Sequence, residues 1–155
     1  CIRDSLYAEA LRYVSIATDN TIAVTIDDFR YPAMEQLFQV KVPTPQAYVF
    51  HKGLVFEKRR EKLKKAKDLY YIFEVLTYCD TIEEKILSGL VEFKDNYPSW
   101  FDRFLKNLSV NFADSSSNGV LMVAGQRPGY MLPELNEDQF KQYVFRSYKK
   151  LLDSI

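Results

Sequence analysis

Residues 38–50 read FQVKVPTPQAYVF, and the change of pattern inside this stretch decides the fold. Phe38, Val40 and Val42 alternate with Gln39 and Lys41, the period-two signature of a half-buried strand. Thr44-Pro45 then supplies a helix start, with Thr as N-cap and Pro at the first helical position, where its missing N–H costs nothing. The chain therefore turns from strand to helix near Pro43. Upstream, TIAVTID (21–27) alternates Ile22, Val24 and Ile26 with Thr21, Ala23 and Thr25, a second strand. RYVSIAT (12–18) is predicted as a further strand, joined to TIAVTID by a turn at Asp19-Asn20, two residues that tolerate positive φ. DSLYAEALRY (4–13) predicts a short helix capped by Asp4 or Ser5, and DDFRYPAMEQL (27–37) is ambiguous.

Downstream, the pattern is helical. PQAYVFHKGLVFE (45–57) is a helix containing Gly53, which costs roughly 1 kcal/mol against Ala in a helix interior and so implies a close packing contact. A second helix spans about 60–79, with Leu63, Ala66, Tyr70 and Phe73 on one stripe, widened by Leu69, Ile72 and Leu76. IEEKILSGLVEFKDN (82–96), capped by Asp80-Thr81, and SWFDRFLKNLSVNF (99–112), opened by Pro98-Ser99, predict two more. ADSSSNG (113–119) is a loop by composition, VLMVAG (120–125) is a short apolar run of either type, and QRPGYMLP (126–133) is irregular. Asn136 caps a last helix over 137–155, with Phe140, Val144, Tyr148 and Leu151 or Leu152 facing the core. The fold class is α+β: a small antiparallel strand layer, about residues 12–42, followed by a mostly helical bundle, residues 43–155. Three short strands rarely make a self-sufficient sheet, so they must pack on the helices or pair with other strands.

The 155 residues suit one domain and suffice for a real core. An apolar share of 47% excludes a disordered chain, and 21 basic against 21 acidic residues leave no global charge for nucleic acid or membrane. Cys1 and Cys79 form neither a disulfide framework nor a metal pattern, which suits a reducing, cytoplasmic setting. No apolar run is long enough to cross a bilayer. A first residue that is Cys rather than Met suggests a fragment or a trimmed product.

Positive charge is concentrated in one place. Lys52, Lys58, Arg59, Arg60, Lys62, Lys64, Lys65 and Lys67 crowd together, offset locally by Glu57 and Glu61. One reading is a solvated helix face laced with ion pairs. The other is an anion site, in which a turn between two helices brings Lys52 and Lys67 together around a phosphate. Asp68 bears on both, since a carboxylate within an apolar helix is costly unless paired; Lys52 or an Arg of the block is its expected partner. His51 reads as a half-buried, satisfied histidine. There is no Gly-rich phosphate loop, zinc spacing or G-x-S-x-G nucleophile motif, and the aromatics, Trp100 included, read as core.

Over residues 10–80, the segments LRYVSIATDNTIAV and VKVPTPQAYVFHKGLVFEKRREKLKKAKDLYYIFEVL resemble the C-terminal part of polymerase-β-type nucleotidyltransferase-like proteins. That bacterial and archaeal group is broadly related to the toxin-type nucleotidyltransferases of abortive-infection systems. The resemblance lies in the strand leading to Pro45, the pair His51-Lys52, the basic Arg59-Arg60 and the step Lys67-Asp68. It implies transfer of a nucleotidyl group from a nucleoside triphosphate to an acceptor, with Mg²⁺ held by carboxylates that follow a Gly-Ser motif. No such motif occurs here, so Mg²⁺ is expected for the full-length protein, and no metal or catalytic residue is assigned to this chain. The acidic pair Asp27-Asp28 is given no metal. On the same resemblance, residues 1–42 are the end of a nucleotidyltransferase core and 43–155 a helical domain. Lys52, Arg59 and Lys67 are the nucleotide- or phosphate-binding candidates, and Asp68 holds a cation in place. The chain alone is expected to be inactive. The rival reading is a non-catalytic helical module binding RNA or a protein partner through the basic block. The acceptor, whether RNA, protein or a small molecule, is not fixed by the sequence, and a homodimer through a strand edge is a further expectation.

Overall fold

The computed structural model describes residues 13–26, 38–78 and 83–155. The readings for 4–12, for 27–37 with Asp27 and Asp28, and for Cys1, Cys79 and Asp80-Thr81 lie outside these residues. The described elements are α1 (Val14–Asp19), β1 (Thr21–Ile26), β2 (Phe38–Pro43), α2 (Pro45–Val55), a 3-10 turn (Phe56–Lys58), α3 (Lys62–Tyr78), α4 (Glu83–Asn96), α5 (Pro98–Asn111), α6 (Asn118–Ala124) and α7 (Glu137–Asp153). The layout is α+β, two antiparallel strands followed by a mostly helical region. Among the described residues no helix is long and apolar enough to cross a membrane.

One expected strand is a helix. RYVSIAT has the β-branched content of a strand, yet Val14–Asp19 is helical. Tertiary packing overrides local preference here. Ile16 is fully buried, and Tyr13, held at φ 62° ahead of the helix, sets its ring edge-on to Trp100 at 5.0 Å and accepts a hydrogen bond from Arg103. Asn20, instead of making a β-turn, closes the helix: its side-chain amide donates to the Ile16 carbonyl at 2.9 Å, and its own carbonyl accepts from Thr44 N–H at 2.9 Å. One residue thus ties the end of α1 to the start of α2.

The two remaining strands pair in the register Ile22↔Val42, Val24↔Val40 and Ile26↔Phe38. Their alternation therefore places Ile22, Val24, Ile26, Val40 and Val42 on one face. That face is not buried: Ile22, Val24, Ile26 and Val40 are exposed. Among the described residues no third strand joins either edge.

The core is built around α2. The Thr44 hydroxyl accepts from Ala47 N–H and Pro45 occupies the first turn, as the sequence predicts. Ala47, Val49, Phe50 and Leu54 are fully buried, and Phe50 stacks on Phe93 at 5.0 Å and meets Phe104 edge-on at 5.2 Å. Gly53 has the close contact its position implies, since a Cβ there would run into the Phe104 ring. On α3 the expected stripe is buried or partly buried except at its first residue. Ala66, Leu69, Tyr70, Ile72 and Phe73 are buried, while Leu63 lies exposed; it sits in the first turn, before α3 reaches the body of the bundle. VLMVAG proves helical, with Val120 and Val123 fully buried in α6.

Asn136 forms a reciprocal capping box with Gln139 at the start of α7, whose buried residues are Phe140, Val144, Tyr148 and Leu151. The Tyr148 hydroxyl donates to the Leu69 carbonyl at 2.6 Å inside the core. Burial raises its pKa well above the ordinary value. The neutral phenol is thus the form the fold accepts, and its contribution is intact below about pH 10, where an unfolded tyrosine begins to ionise. Stability should fall as pH rises beyond that point. In denaturant titrations run between about pH 9 and 11, Tyr148→Phe should be less stable than the parent at the lower end and should lose less stability across the range. Parallel pH dependence in the two proteins would contradict this.

Candidate functional site

The joint between α2 and α3 is short: a single 3-10 turn, then Arg59 in an extended conformation with its N–H bonded to the Phe56 carbonyl at 3.1 Å. Phe56 is buried and pins the turn to the core. Such a tight return lays the last turn of α2 against the second and third turns of α3. Lys52 and Asp68 meet there, Nζ to Oδ1 at 2.5 Å, and Arg59 closes on the other oxygen, Nε to Oδ2 at 2.7 Å. The Asp68 side chain is 5% exposed, Lys52 16% and Arg59 39%. A buried carboxylate is thus held by two cations, leaving the cluster with one net positive charge. Arg59 engages Asp68 through Nε, so its two terminal amino groups remain to serve an outside acceptor.

Lys67 is not part of this cluster. Adjacent residues on a helix diverge by about 100°, so when Asp68 faces inward Lys67 stands on the exposed side of α3. Much of the remaining basic block is surface, as the solvated-face reading has it. Lys64 pairs with Glu61 at 2.7 Å, and Lys65 pairs with Glu57 at 3.0 Å across the joint. Glu57 also accepts from the Asn111 side chain at 2.9 Å, which fastens the 3-10 turn to α5. Asn107 of α5 donates to the Gly53 carbonyl at 2.9 Å. The joint is therefore braced from both sides.

Two residues near the cluster escaped the sequence reading. Lys52 Nζ lies 5.4 Å from the ring centre of Tyr48 and 5.5 Å from that of Tyr71. Their spacing is the signal that could have found them, since Tyr48 precedes Lys52 by four residues and Tyr71 follows Asp68 by three. Burial, with help from Tyr71, Asp68 and Glu74, pushes the Tyr48 phenol up to about 12. His51 is half-buried; burial and then the Lys52 charge lower its pKa, so the imidazole is neutral at neutral pH.

The cluster does not fit a divalent metal. Its one carboxylate is already neutralised by two cations, whereas Mg²⁺ needs converging oxygen ligands. Among the described residues no group of three or more His, Cys, Asp or Glu could hold a metal ion. A groove of about 670 Å³ forms an open depression at the start of α7, lined by Asn136, Glu137, Asp138, Gln142, Tyr143 and Arg146 among others; Lys52, Arg59 and Asp68 take no part in it. Its charged residues Glu137, Asp138 and Arg146 are exposed, with Glu137 and Asp138 paired to Lys141, so the α2–α3 joint with its buried Asp68 remains the better candidate.

A family model described as Nucleotidyltransferase matches residues 4–89, more than half of the chain. The match takes in both helices of the joint and ends within α4. No curated protein and no solved structure matches the chain.

Proposed function

This chain belongs to the nucleotidyltransferase family, and from that premise we propose that the α2–α3 joint holds the phosphates of a nucleoside triphosphate during nucleotidyl transfer. Lys52 and Arg59 contact phosphate oxygens, Asp68 fixes both cations, and Lys67 is a peripheral contact on the outer face. The observation that carries this reading is the doubly paired, buried Asp68. Both oxygens of a buried carboxylate need partners, and of the two cations that supply them Arg59 is two-fifths exposed and has donors beyond its bond to Asp68, so its charge can meet an acceptor outside. Residues 1–42 then form the closing part of the nucleotidyltransferase core, whose remaining elements cover the exposed apolar face of β1 and β2, and 43–155 form the helical domain. Mg²⁺ would be held by carboxylates outside the described residues. The described residues bind and orient but do not themselves transfer.

Titration calorimetry with ATP tests this. Lys52→Met should weaken binding about tenfold or more, since a charge-assisted contact is lost, while Lys64→Ala, on a lysine paired only at the surface, should leave it unchanged. Equal losses in the two variants would overturn the joint as a specific site. The exposed Lys58, Arg60, Lys62 and Lys67 favour the second reading, a module that tracks an RNA backbone. It would then show binding of single-stranded RNA that falls steeply with salt and is spread evenly over the block.

A further inference from the structure

Lys52 lies between two tyrosines, but the two are not alike. Tyr48 is half-buried and its phenol is strongly desolvated. A ring in that setting explains itself, because it shields the buried ion pair from water and offers its π-face to the ammonium. Tyr71 stands on the same side of α3 as Asp68, three residues later, with its ring centre 5.5 Å from Lys52 Nζ, yet it is 38% exposed. Its exposed part is free to meet a ligand from solvent. The buried Tyr70 packs beside it, centroids 6.4 Å apart and edge-on, which limits its movement. A partly fixed, partly open aromatic surface therefore borders a cluster carrying net positive charge.

We infer that the base of the bound nucleotide stacks on the open ring of Tyr71, so that Tyr71 and Lys52 together select a phosphate joined to an aromatic ring over a bare phosphate chain. The inference rests on the phosphate-binding reading of the joint given above and adds to it a residue that discriminates between ligands. Phosphate alone is recognised by charge and donors, which Lys52 and Arg59 supply. A nucleobase presents a flat π-surface whatever its edge pattern, and stacking is tolerant of base identity. Tyr71 thus favours nucleotides as a class rather than one base. The phenol hydroxyl is not required, because stacking uses the ring face.

The test compares inorganic tripolyphosphate with the four common nucleoside triphosphates, binding each to the full chain and to Tyr71→Leu and Tyr71→Phe. The parent should bind the nucleotides more tightly than tripolyphosphate. Tyr71→Leu should weaken the nucleotides about tenfold and leave tripolyphosphate unchanged, which also shows that the cation cluster is intact. Tyr71→Phe should keep the parent's preference. The inference is overturned if Tyr71→Leu leaves nucleotide binding unchanged, or weakens both ligand types equally, as it would if the ring merely positioned Lys52. If the parent binds tripolyphosphate and nucleotides equally, the base contact falls and the phosphate site stands. Failure of the parent to bind either, or tripolyphosphate binding indifferent to Lys52→Met, would overturn the phosphate site and the base contact with it.

Discussion

Asp68→Ala is expected to destabilise the chain by about 3 kcal/mol, because removing one partner of a buried ion pair strands the other. Lys52 bears most of this loss: its side chain is 16% exposed, and its ammonium would be left against two aromatic rings with no counter-charge. Arg59 bears less, since it can swing into water. The midpoint of a denaturant titration measures the effect, and an unchanged midpoint would show that the pair adds nothing to stability. A companion variant separates fold from function. Lys52→Met with Asp68→Leu replaces the pair by apolar side chains of similar bulk, and such replacements are often neutral. The double variant should recover most of the lost stability while failing to bind nucleoside triphosphate. Recovery of binding along with stability would remove Lys52 from the site.

Arg127→Ala should cost a similar amount, about 3 kcal/mol, by a different route. The segment between α6 and α7 has little regular structure, and Arg127 organises it. Its Nε donates to the Met131 carbonyl at 3.0 Å, and one terminal nitrogen donates to the carbonyls of Leu132 and, at 2.9 Å, Leu135. The guanidinium lies 4.3 Å from the ring centre of Phe140. Hydrogen bonds from a charged donor contribute about 1.5–3 kcal/mol, and the ring contact adds roughly 0.5–2 kcal/mol. Leu132, at φ 47°, sits in a conformation that a β- or γ-branched residue adopts only when its surroundings hold it there. Losing the arginine should therefore loosen residues 126–135 first. Faster amide exchange confined to that segment, with a lowered midpoint, is the expected result; protection equal to the parent's would show that Met131 packing alone holds it.

Much of this architecture was legible because its causes are local. Thr44-Pro45 begins α2 through an N-cap and a fixed φ, the stripe Phe140, Val144, Tyr148 and Leu151 buries α7, and alternation sets which side chains of β1 and β2 share a face. The approach of Lys52 to Asp68 was legible too, since a carboxylate in an apolar helix has to find a cation, and the nearest inward-facing one lies on the preceding helix. Arg59 was named as a candidate, but its closing on the second carboxylate oxygen follows from the extended residue after the 3-10 turn, which no periodicity encodes. The same turn fixes the phase of α3, which puts Lys67 outside the cluster. Whether Val14–Asp19 is strand or helix was decided by Ile16, Tyr13 and Asn20 finding partners in α2, α5 and at the start of α2. β-branched residues prefer strands by a fraction of a kilocalorie each, and burying one isoleucine with two side-chain anchors outweighs that preference. Sequence by itself determined the elements whose energetics lie within a few residues. Only the tertiary structure decided which faces meet, because that depends on contacts between residues far apart in the chain.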